Sequence, residues 1–126
     1  MTRRLPVLPL LLAGLMVLTA CQAPPPVSVD GKTASYSVSL QLDGATLGQR
    51  TATIQLSGPE PSQVILSPAM RQMGMAGLEA VATKVDEGRY EARGEFFSML
   101  GDWEIAVRID GPSGQEVATF NVEVVP

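Results

Sequence analysis

Beyond residue 20 the chain holds four methionines, a single cysteine and no histidine, and this set bounds its chemistry. Met70, Met73 and Met75 fall together in Pro68-Ala69-Met70-Arg71-Gln72-Met73-Gly74-Met75-Ala76-Gly77, and Met99 follows shortly before Gly101 and Trp103. Thioether sulfur is a soft, neutral donor that selects Cu(I) over zinc or calcium and needs no deprotonation. Met73, Met75 and one of Met70 or Met99 are therefore the candidate ligands of a Cu(I) site, with Trp103 as an aromatic face beside the ion. With Gly74 alone between them, Met73 and Met75 point the same way if the loop is extended. The same residues have a plainer reading. Methionines fill irregular gaps beneath loops, and Trp103 continues the Ile105, Val107, Ile109 alternation of a core-facing strand.

What is missing excludes more. Without histidine, and with Cys21 the only cysteine, Ser-His-Asp and Cys-His catalysis and zinc sites built on Cys or His are unavailable. The carboxylates are scattered singly, so no enzyme is expected and no cofactor other than Cu(I). The formal net charge of −4 includes Arg3 and Arg4, so the chain after residue 20 is more acidic still. Such a surface has no electrostatic footprint for nucleic acid, and anionic lipid repels it mildly.

Cys21 has its own chemistry. Arg3 and Arg4 precede an apolar run over residues 5–18, followed by Leu18-Thr19-Ala20-Cys21. This is the layout of an export signal. The run of roughly 14 residues falls short of the ~20 that a spanning helix needs. Leu-Thr-Ala-Cys resembles the lipobox of bacterial lipoproteins, which implies removal of residues 1–20 and a diacylglycerol on the Cys21 thiol. Acyl chains contribute about 0.8 kcal/mol per buried methylene, so two or three hold a protein at the membrane essentially permanently. The expectation is a lipoprotein facing the periplasm or cell exterior, touching the membrane through its lipid alone. Gln22 stands where an inner-membrane retention signal has Asp, which favours the outer membrane in an organism with two.

Residues 21–31, CQAPPPVSVDG, read as the lipidated cysteine and a stiff Pro-rich linker that lifts the domain off the headgroups. Residues 32–126 suit one domain. Period-two alternation dominates there: Tyr36, Val38, Leu40 and Leu42, then Ala52, Ile54 and Leu56, each alternating with polar neighbours. Further strands are expected over residues 64–66, 78–85, 89–98, 103–109 and 117–125, with turns such as Asp43-Gly44, Gly58-Pro59, Glu87-Gly88 and Asp110-Gly111-Pro112 between them. About seven short strands with no helical period predict an all-β, immunoglobulin-like antiparallel sandwich. Residues 89–98 and 103–109 are expected to form a hairpin with its tip at residues 99–102. That register sets Arg93 against Arg108 and Glu91 against Asp110, two like-charge pairs; a bulge at Gly94 would relieve them and turn Phe97 and Met99 inward beside Trp103.

The stretch Pro68-Ala69-Met70, Met73-Gly74-Met75, Gly88-Arg89-Tyr90, Phe96 or Phe97, Met99, Gly101, Trp103 and Val107 resembles the YtkA-like domain family, related to FixH. The resemblance covers about the C-terminal half. It implies an extracytoplasmic, often membrane-anchored module of immunoglobulin type, frequently associated with copper handling or haem–copper oxidase assembly, with Met70, Met73, Met75, Met99 and Trp103 at matching positions. Some relatives carry a histidine in the methionine loop, and its absence here leaves Cu(I) rather than Cu(II) as the expected ion. The alternative is a cell-envelope interaction module without metal, in which the methionine loop contacts a protein partner.

Overall fold

The computed structural model describes residue 14 and residues 23–126. Apart from Gly14, the expected leader lies outside the described residues, as does Cys21, the expected lipidation site. Among the described residues ten strands follow in order: β1 Val27–Lys32, β2 Ser37–Leu42, β3 Arg50–Ser57, β4 Gln63–Met70, β5 Met75–Ala76, β6 Ala80–Val81, β7 Thr83–Asp86, β8 Arg89–Gly94, β9 Gly101–Gly111 and β10 Gly114–Val124. All pairings are antiparallel. They make two sheets, one in the order β1-β2-β3-β8-β7 and the other β10-β9-β4, with β5 and β6 both flanking β4. Among the described residues the only helical turn is a 3-10 turn at Arg71–Met73.

The period-two pattern decides which faces meet. Val38, Leu40 and Leu42 of β2, Ala52, Ile54 and Leu56 of β3, and Trp103, Ile105, Val107 and Ile109 of β9 all point inward and are buried. Their polar neighbours line the outer faces. Trp103, Phe96 and Phe97 are the largest fully buried side chains. Pro68 sits in β4 with strands on both sides, a position where a missing N–H ordinarily breaks a ladder. Its carbonyl accepts from Gly77 N at 2.8 Å, so its nitrogen faces the same side, at the gap between β5 and β6 where the ladder on that flank is already interrupted.

Three expectations are corrected. Residues 89–98 and 103–109 do not form a hairpin: β8 ends at Gly94 and pairs with β3 and β7, while β9 pairs with β4 and β10 in the other sheet. Residues 95–100 cross between the sheets. Phe96 and Phe97 are consecutive and both buried, which a strand with one inward face cannot achieve. The expected strand over 78–85 divides at buried Ala82, whose amide bonds the Val64 carbonyl at 2.8 Å; β6 pairs with β4 in one sheet and β7 with β8 in the other. Finally, Val27–Gly31, assigned to the linker, belongs to an edge strand in register with β2 from Val27↔Leu42 to Lys32↔Ser37. Val27 and Val29 pack on the core, and their burial holds the segment to the sheet.

Candidate functional site

The methionine segment is a short hairpin at one end of the sandwich. β4 ends at Met70, the 3-10 turn reverses the chain, and Gly74, at φ 64°, closes it with its amide on the Arg71 carbonyl at 3.1 Å. Glycine is required there because a left-handed residue must follow the turn. β5 then returns with Met75 directly across from Met70.

Register extends this pair into a row. Ala69 faces Glu104 in β9, so one further step sets Met70 across from Trp103, which itself pairs with Val122 in β10. Met75, Met70, Trp103 and Val122 thus share a transverse line, and directly opposed residues project to the same face. Met70, Trp103 and Val122 are buried there, while Met75 sits at the margin with 36% exposure. Met99 arrives on the crossover, half-buried against the core. Its carbonyl accepts from Trp103 Nε1 at 3.0 Å. Phe97 meets Trp103 edge-on, with ring centroids 5.5 Å apart at 66°. A Cβ on Gly101 would stand 3.0 Å from Met70 Cε, so the glycine leaves room for that methyl beneath the turn into β9.

Two of the four candidate ligands, Met70 and Met99, therefore border Trp103, and Met75 lies one strand further out, across from Met70. Met73 does not join them: it lies on the 3-10 turn, 61% exposed. The loop is not extended, and the turn with Gly74 separates the directions of Met73 and Met75. Trp103 itself is a core residue at 1% exposure. Phe97 and Met99 do turn inward beside it, on a crossover rather than through a bulge at Gly94.

Two features of the site are not apparent from residue spacing. Gly77 is wedged against Pro68 and the Phe96 carbonyl, where a Cβ would lie 2.9 Å and 3.0 Å from the nearest atoms, so the methionine hairpin and the crossover touch. Beside this contact is a cavity of about 230 Å³ lined by Gly77, Leu78, Phe96 and Phe97 among others. On the outer face, Arg71 pairs with Glu104 at 2.8 Å. Among the described residues no three His, Cys, Asp or Glu side chains gather where a metal would fit; the thioethers are the only soft donors. No helix of the described residues is long and apolar enough to cross a membrane. No family model, curated protein or solved structure matches the chain.

Proposed function

We propose that the chain is a lipid-anchored, non-enzymatic binding module of the cell envelope, an immunoglobulin-like domain of YtkA-like type, and that its ligand is Cu(I). The lipobox-like Leu18-Thr19-Ala20-Cys21 supports the anchor. The lack of histidine and of any thiol beyond Cys21 supports a non-catalytic, thioether-based role. The observation that carries the copper reading is the Met75–Met70–Trp103 row with Met99 tied to the Trp103 indole. On this reading Met70, Met75 and Met99 are the ligands, Trp103 walls the site, and Met73 is dispensable.

Replacing Cys21 by Ser tests the anchor: the acylated chain partitions into detergent, and Cys21→Ser moves to the aqueous phase. An unchanged partition defeats the lipoprotein reading. Copper is tested by competition against a Cu(I) chelator under reducing conditions. Met75→Leu with Met99→Leu lowers affinity by about tenfold or more, because leucine keeps the volume and removes the sulfur. Met73→Leu leaves it unchanged. Neutral ligands also make binding nearly independent of pH between about 5 and 8. If every variant competes as wild type does, or none competes at all, copper is not the ligand. The exposed Met73, Leu78 and Leu100 are then left as an adaptable surface for an envelope protein partner.

A further inference from the structure

We infer that the end of the sandwich carrying the linker lies on the bilayer, seating Leu47, Leu100 and Met73 at the headgroup–acyl boundary; this rests on the lipid-anchored reading above.

Strand register assigns the ends. In the first sheet β1 starts opposite the end of β2 (Val27↔Leu42), β2 ends near the start of β3 (Leu42↔Ala52), and β3 starts opposite the end of β8 (Arg50↔Gly94). In the second sheet β9 starts opposite the end of β10 (Gly101↔Val124), and β4 ends at the methionine hairpin. The Val125 amide bonds the Ala45 carbonyl at 3.0 Å and joins the two sets. One end therefore holds the linker, residues 43–49, the Arg71–Met73 turn, the crossover 95–100 and the C-terminal residues.

This end is where the large exposed apolar side chains collect. Leu47 (45% exposed), Met73 (61%) and Leu100 (46%) stand on three of its loops, with Met75 and Val125 beside them and Leu78 on the flank. Among the described residues the other exposed large hydrophobics are Val81, Val85 and Val117. The opposite end is built of Thr33-Ala34-Ser35, Gly58-Pro59-Glu60-Pro61-Ser62, Glu87-Gly88 and Pro112-Ser113, which offer a bilayer nothing to bury.

The linker identifies the occupant. Pro24 packs on Gly44, where a Cβ would lie 2.5 Å from the Pro24 ring, so the spacer is bound to this end rather than holding the domain away from the membrane. Only two residues, Gln22 and Ala23, lie between that contact and Cys21, so three residue steps reach at most about 10 Å. Interfacial side chains sink about 5–10 Å into the headgroup–acyl boundary, so the loops lie within reach of it. Arg50 adds charge complementarity. It makes no ion pair among the described residues, and its Nη1 lies beside Gly44, at the linker contact. A lipid phosphate is the partner that such a guanidinium lacks.

The test uses the full acylated chain in vesicles of phosphatidylethanolamine and phosphatidylglycerol. Leu47→Cys, Leu100→Cys and, at the far end, Ser113→Cys each carry an environment-sensitive fluorophore. Acylation of Cys21 is read separately by mass. The labels at 47 and 100 emit to the blue and are quenched by aqueous iodide at least about threefold more slowly than the label at 113, as burial at the interface requires. In a second pair of chains, Arg50→Gln makes both protected labels more accessible while the acyl chain keeps the protein on the vesicle. An acylated chain whose three labels are quenched alike overturns this inference and leaves the anchor standing. Labels 47 and 100 protected only after an envelope extract is added assign the end to a protein and overturn it too. A chain without acyl mass defeats the anchor and the inference together.

Discussion

Trp103 shows how one side chain can serve packing and still border a site. At 1% exposure it lies against Phe97, and its indole N–H is satisfied by the Met99 carbonyl. Its inward direction was legible from the Trp103, Ile105, Val107, Ile109 alternation alone. Its companions Phe97 and Met99 were named only under the bulge alternative, and they reach it on a crossover whose path no local period encodes. Trp103→Ala removes the largest buried side chain of a core that has no disulfide, and the cost is about 3–5 kcal/mol. Against the roughly 5–15 kcal/mol of a typical domain, that is a large share of the stability. Urea denaturation measures it, and a loss below about 1 kcal/mol would mean that the indole is not a core residue. Trp103→Phe keeps most of the apolar area but leaves the Met99 carbonyl unmet. Its loss should be smaller than that of Trp103→Ala and, at about 1–3 kcal/mol, close to that of one unsatisfied buried group.

Elements were legible where alternation was clean and obscured where partners are distant in sequence. β2, β3, β9 and β10 follow the hydrophobic alternation closely. The 89–98 and 103–109 segments also alternate, and proximity made them look like a hairpin, but the like-charge pairs of that register were a sign against it. In the fold Arg93 faces Thr51, Glu91 faces Thr53 and Thr83, and Arg108 faces Ile65 and Val117. No like charges oppose one another at these positions. β1 was hidden for another reason: three prolines precede Val27, and the strand exposes every second residue as an edge strand does. Removing it tests its weight. A chain beginning at Thr33 loses the six-residue ladder with β2 and the packing of Val27 and Val29. Each partly buried valine contributes up to about 1.5 kcal/mol, so this chain should be less stable than one beginning at Ala23 by up to about 3 kcal/mol in urea. Equal stability would return residues 27–31 to the linker.

At the scale of the molecule the two ends differ in kind, and the end far from the linker is closed by one carboxylate. Glu116, in β10, crosses to the turn between β1 and β2, where its Oε1 accepts from the Ser35 amide at 2.7 Å. The turn is braced internally, with Thr33 N on the Tyr36 carbonyl at 2.8 Å and Tyr36 N on Thr33 Oγ1 at 3.1 Å. Tyr36 lies beneath it, fully buried; burial, and then the Glu116 charge, push its phenol up. Burial also pushes the Glu116 carboxyl up, but hydrogen bonds from Ser35, Thr33 and Ala34 outweigh it and hold the group below its usual value. A carboxyl lowered by folding stabilises the fold above its unfolded pKa, near 4.3, and that contribution disappears as pH falls through the folded value. In this window the unfolded chain binds the extra proton, so stability rises with pH. Glu60, lowered by its hydrogen bond to Lys84, acts in the same direction, so the wild-type curve alone does not isolate Glu116. The comparison is with Glu116→Gln, whose amide accepts the Ser35 hydrogen bond without charge. Urea midpoints should favour wild type at about pH 7 and converge as pH falls through the lowered Glu116 value, below the usual carboxylate range, whereas Glu60→Gln leaves the Glu116 component in place. A gap between wild type and Glu116→Gln that persists at low pH would assign the clasp to shape rather than charge. With a charge-based clasp, acid loosens the turn between β1 and β2 first, and β1, the edge strand that continues from the linker, is the element set free.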